Sequence, residues 1–154
     1  MEPSERDRRV AGLVHTALLA AVGVYGVVLL FLRAEVTRAP KPPAPGTAPL
    51  VLFAVLGAAQ YAGASLVGKL MLRSPRGARR DRVRMFFLLR GAAAEAIALY
   101  GLVLGFLGAP APHVLALFAM SVAALLACFP GREAWREAVR ITGREAEGGR
   151  REED

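Results

Sequence analysis

Residues 83–108 read VRMFFLLRGAAAEAIALYGLVLGFLG. This run is long enough to cross a bilayer, because about 20 apolar residues span the hydrocarbon core. A single carboxylate, Glu95, stands near its middle. A charged side chain at mid-bilayer costs roughly 2.5–3.5 kcal/mol on insertion scales, and burial favours the protonated form of a carboxyl group. Glu95 is therefore the first candidate for a functional residue.

Three further apolar blocks accompany this run, at residues 10–32, 50–72 and 110–130. Together the four blocks predict an all-α integral membrane protein, a bundle of four transmembrane helices. A hydrophobic content of 55% and a mean hydropathy of +0.39 agree with that class. We expect the first block to be a retained helix, because its apolar stretch exceeds the roughly 7–15 residues of a cleaved signal.

The positive charge of the chain is unevenly distributed. Most of its 20 basic residues lie in three segments: 1–9, the loop 73–82 and the tail 131–154. The positive-inside rule places these segments in the cytoplasm, so both termini are expected there. The chain is expected to be a multi-pass protein of a bacterial-type inner (plasma) membrane. The net charge of +7 is expected to favour binding to the lipid bilayer. Nucleic acid is not an expected partner, because no soluble domain remains to present a basic face.

The segments outside the spans have their own patterns. Residues 33–49 form a proline-rich outer loop that is expected to be extended. Residues 132–142 predict an amphipathic helix that lies on the membrane surface, with a docking helix for a partner as the alternative. The rest of the tail to residue 154 is expected to be disordered. The residues expected at the membrane surface are Arg132, Trp135, Arg136 and Arg140.

The chain also contains an internal similarity. Tyr25-Gly26 corresponds to Tyr100-Gly101, and Phe31-Leu32 corresponds to Phe106-Leu107 in the same register. One interpretation is a duplicated two-helix hairpin with parallel repeats. Only the second copy keeps the carboxylate, because Ala20 corresponds to Glu95.

The sequence around Glu95 is more specific than its composition. Residues 95–103 read EAIALYGLV, and Arg73-Ser74-Pro75 precedes them in a polar loop. Residues 50–108 thereby resemble the ring-forming proteolipid (subunit c) of rotary ATP synthases and of vacuolar-type ATPases. The second helix of that family typically reads Glu-Ala-x-x-Ile-Tyr-Gly-Leu-Val after a loop with Arg-(Gln/Asn)-Pro. The resemblance implies a proton-binding Glu95, with Tyr100 and Gln60 as hydrogen-bonding neighbours, within a homo-oligomer or among other membrane subunits.

The small residues of the second and third helices predict helix packing. Gly57 and Gly63 lie on the second helix, and Gly101 and Gly105 on the third. Small residues at such spacing let membrane helices approach closely. The strict alternate glycines of the proteolipid family are absent, and the carboxylate lies on the third of four helices.

Two functions follow from these patterns. The first is a proteolipid-like subunit with a reversibly protonated intramembrane carboxylate, engaged in proton translocation in a rotary-ATPase-like complex. The alternative is a structural or assembly protein in which Glu95 only mediates helix packing. We do not expect an enzyme by itself, because no nucleophile–base set or phosphate loop is evident. We expect no cofactor and no metal, because Cys128, His15 and His113 are isolated in the sequence.

Overall fold

The computed structural model describes residues 5–36, 46–74 and 78–148. The described residues form five helices. These are α1 (Glu5–Val36), α2 (Ala48–Arg73), α3 (Arg79–Phe106), α4 (Ala111–Ala127) and α5 (Arg132–Gly148). The all-α class is as expected. Most of the proline-rich loop, at residues 37–45, and the tail after residue 148 lie outside the described residues.

Three of these helices, α1, α2 and α3, are long and apolar enough to cross a membrane. Helix α4 has 17 residues, about 25 Å at a rise of about 1.5 Å per residue. It passes the same test of length and composition only together with α5, from which it is bent by 62°. The described part of the chain thus has three candidate spans, or four if this bent pair is one span, and these indicate a membrane protein.

The outer surface of the helices supports the same assignment. Leu52 is 63% exposed, Leu66 is 61% exposed and Phe31 is 72% exposed. Contiguous exposed apolar surface of this kind is typical of a lipid-facing protein and is rare on soluble monomers.

Helix α3 is the centre of the bundle, because it packs against α1, α2, α4 and α5. Small residues permit these close approaches. A Cβ at Gly101 would lie 3.0 Å from the Phe118 ring of α4, and one at Gly105 would clash with the Leu29 side chain of α1. Gly57 of α2 is equally close to Ile97 of α3, at 3.0 Å. Three of the four predicted packing glycines thus lie in helix contacts, whereas a Cβ at Gly63 would meet nothing within 4 Å.

A glycine turn joins α3 to α4. Gly108 has φ +76°, a conformation that residues with a side chain rarely adopt. Its N–H donates to the Gly105 carbonyl at 3.1 Å, and the Ala109 N–H donates to the Leu104 carbonyl at 3.2 Å. This pair of bonds is the Schellman motif, which ends α3 and begins the short connection to α4.

Helix boundaries extend beyond the predicted spans at two places. Helix α1 begins at Glu5, inside the segment 1–9 that was expected to precede the membrane. Helix α5 continues through Gly143 to Gly148, although the sequence predicted a helix only over 132–142. Residues 144–147 (Arg-Glu-Ala-Glu) are good helix formers, which explains the extension.

The start of α1, the end of α2, the start of α3 and α5 as far as Thr142 lie together, and we call this region the basic end. A buried apolar cluster joins these elements there, with Ala11, Leu72, Val83 and Trp135 among its members.

Candidate functional site

Glu95 lies between two spans. The Tyr25 hydroxyl of α1 donates a hydrogen bond of 2.7 Å to Glu95 Oε1 of α3. Glu95 is half-buried, and the neighbouring Leu99 is 41% exposed. The carboxyl group therefore lies at the edge of the α1–α3 contact, beside an exposed apolar stripe of α3 that includes Leu99 and Val103.

Tyr100 and Gln60 come together with each other and not with Glu95. The Tyr100 hydroxyl donates to Gln60 Oε1 of α2 at 2.6 Å, and its ring stacks on Phe53 with centroids 5.6 Å apart. The helix explains the separation, because five residues correspond to a rotation of about 140° around the axis. Glu95 consequently faces α1 while Tyr100 faces α2. The neighbour that the resemblance implied for Glu95 is replaced by Tyr25.

The internal similarity of the chain is a sequence signal for the hydrogen bond between Tyr25 and Glu95. The similarity between the strings around Tyr25 and Tyr100 places a tyrosine at an equivalent point of each helix. Each tyrosine hydroxyl donates to an acceptor on a neighbouring helix. Tyr100 was expected beside Glu95 because the resemblance to the proteolipid family implied it.

Arg90 is the second charged group inside α3. Its Nη2 donates to the Tyr61 hydroxyl at 2.8 Å, and its guanidinium lies over the rings of Tyr61 and Phe86 at 5.5 and 5.3 Å. Within the described ranges, no carboxylate forms an ion pair with Arg90, Glu95 included.

His15 and Cys128 are isolated in the sequence but adjacent in the fold. His15 Nε2 lies 3.6 Å from Cys128 Sγ, and both residues are buried. The other ring nitrogen, Nδ1, is 3.1 Å from the Ala11 carbonyl, so this imidazole joins the start of α1 to the end of α4. No group of three metal-ligating side chains occurs among the described residues. The pair is therefore a polar contact within the core.

Asp7 is a buried carboxylate that sequence reasoning missed. Its side chain is 1% exposed and forms ion pairs with Arg80, at 2.6 Å, and with Arg84 of α3. The available signal was an acidic residue amid Arg6, Arg8 and Arg9, on a helix that must pack near the basic start of α3. These ion pairs fix the start of α1 to α3.

Trp135 of α5 packs into the bundle and not into a headgroup layer. Its ring stacks on Phe87 of α3, with centroids 5.5 Å apart and planes at 18°, and only 5% of the residue is exposed. The Arg79 guanidinium donates to Thr142 Oγ1 at 2.8 Å and to the Val139 carbonyl. The apolar face of α5 was predicted to lie on the membrane surface. It packs instead against apolar side chains at the end of α2 and the start of α3. The remaining predicted surface residues, Arg132, Arg136 and Arg140, are exposed.

Comparisons of the chain with protein-family models, with curated proteins and with solved structures found no match. The resemblance of residues 50–108 to the proteolipid family therefore rests on the quoted motifs alone.

Proposed function

We propose that this chain is a membrane subunit in which Glu95 binds and releases a proton within the bilayer. The observation that carries the proposal is the 2.7 Å hydrogen bond from the Tyr25 hydroxyl to Glu95 Oε1. A hydroxyl donor at that distance holds the carboxyl group in one orientation. Glu95 Oε2 accepts no hydrogen bond from the described residues, so it is available to carry the proton.

The position of Glu95 suits an exchangeable proton. A carboxyl group sealed in the core would exchange slowly, whereas Glu95 is half-buried beside the exposed Leu99. A partner helix that approaches this stripe would be in reach of Oε2. The site therefore works in a homo-oligomer or beside other membrane subunits, as the resemblance to subunit c also implies.

The alternative function is structural. The same hydrogen bond connects α1 to α3, and a protonated Glu95 can serve as a permanent interhelical link. Interhelical hydrogen bonds in membranes contribute about 0.6 kcal/mol on average, with a maximum near 1.7 kcal/mol. In that case the carboxyl group is a fixed part of the packing between α1 and α3.

Labelling with a hydrophobic carbodiimide separates the two functions, because the reagent reacts with protonated carboxyl groups inside membranes. The purified chain is reconstituted into vesicles and labelled from about pH 5 to about pH 9, a range that covers buried carboxyl groups. We expect the labelling rate of Glu95 to fall along a single-proton curve as the pH rises. A rate that is constant over this range would favour the structural function.

Two variants complete the experiment. Glu95→Gln keeps an acceptor for Tyr25, so the variant should fold normally. The peptide that contains residue 95 should no longer be labelled. Gln60→Leu is the matched control on α2, because it removes a polar side chain that accepts from Tyr100 and not from Tyr25 or Glu95. It should leave the pH dependence intact. Native mass spectrometry of the same preparation distinguishes a homo-oligomer from a complex with other subunits.

A further inference from the structure

A cavity of about 210 Å³ lies at the basic end, between α2, α3, the end of α4 and α5. Most of its lining is apolar and includes Leu72, Phe86, Phe129 and Ile141. The space is large enough for several water molecules. That space suits a small headgroup whose apolar part remains in the bilayer.

The charged groups that line this cavity are Lys69, Arg90 and Glu137. Glu137 is neutralised by Arg140 on the same helix, since their side chains form an ion pair of 2.7 Å. Lys69 and Arg90 form no ion pair among the residues that the structure describes. The lining therefore has a net positive charge in an apolar setting.

Arg90 is the more buried of the two cations. It lies about 16 Å along the helix axis from Arg79, the first residue of α3, at about 1.5 Å per residue. Its Nε is buried and has no hydrogen-bond partner, while its Nη2 binds the Tyr61 hydroxyl. An arginine at this depth is costly unless an anion or water compensates its charge. The aromatic faces of Tyr61 and Phe86 compensate only part of it.

We propose that this cavity binds the phosphate of an anionic phospholipid from the leaflet at the basic end. The phosphate would lie between Lys69, near the end of α2, and Arg90, deeper on α3. Arginine and lysine are the side chains that bind phosphate oxygens most strongly, and basic pockets between membrane helices recognise anionic headgroups. Residues Ala134, Glu137, Ala138 and Ile141 of α5 line one side of the cavity, so the bound lipid connects α5 to the spans.

Lipid retention tests the proposal. The delipidated protein in detergent is incubated with phosphatidylglycerol, with phosphatidylcholine of the same acyl chains, or with inorganic phosphate alone. Native mass spectrometry counts bound lipid, and thermal unfolding reports stabilisation, since a ligand that binds only the folded state raises its stability. We expect one retained phosphatidylglycerol and a higher melting temperature, with little effect of phosphatidylcholine or inorganic phosphate.

Three variants locate the binding. Arg90→Gln should weaken retention by about tenfold or more, the scale of one lost charge-assisted hydrogen bond. Lys69→Gln, an exposed position near a helix end, should weaken it in the same direction and decides the outcome if Arg90→Gln does not fold. Arg136→Gln removes an exposed charge of α5 that does not line the cavity, and it should retain the lipid.

Three results would overturn the proposal. Equal retention by the wild type and both cavity variants would mean that Lys69 and Arg90 do not bind the lipid. Equal retention of phosphatidylcholine would mean that the negative charge is not recognised. Equal stabilisation by inorganic phosphate would identify a site for free anions and not for lipid.

Discussion

At the scale of the residue, two tyrosines in similar sequence contexts have different partners. Tyr25 donates to Glu95 and Tyr100 donates to Gln60. The partner of each tyrosine depends on the rotation of its helix about the helix axis, because a side chain can reach only the neighbouring helix on its own side. Tyr25 is therefore the residue whose removal should change the chemistry of Glu95.

Tyr25→Phe should accelerate carbodiimide labelling of Glu95 at acidic pH. The substitution removes the hydrogen bond that shields Oε1 and restricts the carboxyl group. A net hydrogen bond of about 1 kcal/mol corresponds to roughly a fivefold change in rate. The matched control is Tyr100→Phe, which removes the bond to Gln60 and should leave the labelling rate unchanged. If Tyr100→Phe has the larger effect, then Tyr100 and not Tyr25 is the neighbour of Glu95.

Asp7→Asn should destabilise the protein. The substitution removes the charge with which Asp7 pairs Arg80 and Arg84, and breaking a buried ion pair costs about 3–5 kcal/mol. Both arginines are 31% exposed, so solvent reduces the expected loss to about 1–3 kcal/mol. Thermal unfolding in detergent measures the loss. Glu5→Gln is the control, because it breaks only the exposed ion pair with Arg8, and it should have little effect.

At the scale of the element, hydropathy predicted the helices but not their contacts. The four apolar blocks correspond to α1, α2, α3 and α4, since burial in lipid requires long apolar helices whatever their neighbours are. The contact between His15 and Cys128 could not be predicted in this way. It depends on how α1 and α4 are rotated about their axes, and the presence of a histidine or a cysteine does not indicate that rotation.

Helix α5 illustrates an ambiguity in the sequence. An amphipathic pattern predicts a helix with one apolar face, and a membrane surface and a protein surface satisfy that face equally well. Trp135 stacks on Phe87, so the protein surface takes this face, and the exposed arginines keep the opposite face polar. The sequence could predict the helix and its two faces, but the surface that it covers depends on the tertiary fold.

Phe87→Ala should loosen α5 from the spans. The change removes the ring under Trp135, and truncating a buried aromatic side chain costs about 3–5 kcal/mol. Because Trp135 is the single tryptophan of the chain, its fluorescence reports this contact directly. We expect a red-shifted emission and stronger quenching by acrylamide. Phe106→Ala, at a 61% exposed position near the other end of α3, should leave the emission unchanged. An unchanged emission in Phe87→Ala would show that Trp135 does not rest on this ring.

At the scale of the whole molecule, charge and architecture point to the same arrangement. The basic end combines Arg79, Arg80 and Arg84 of α3 with the helix α5 and the start of α1. The opposite end contains the turn at Gly108 and the start of α2 at Ala48. If the basic end faces the cytoplasm, as the positive-inside rule predicts, all its charges remain on one side of the membrane.

The fourth span is the part of this arrangement that most needs a test, because α4 alone has 17 residues and α5 bends away from it by 62°. A span requires the two ends of α4 to be on opposite sides of the membrane. Cysteine accessibility can establish this, since Cys128 is the single cysteine, is buried, and can be replaced by serine.

In that Cys128→Ser background, single cysteines are introduced at exposed positions and labelled with a membrane-impermeant maleimide in intact cells and in inverted vesicles. We expect Arg9→Cys and Arg136→Cys to react only from the cytoplasmic side, and Gly46→Cys and Ala111→Cys only from the opposite side. Arg9→Cys and Gly46→Cys are the controls, because the apolar residues 10–32 that separate them belong to α1, a candidate span in its own right. If Ala111→Cys and Arg136→Cys react from the same side, then α4 with α5 is a re-entrant element, and the chain crosses the membrane three times.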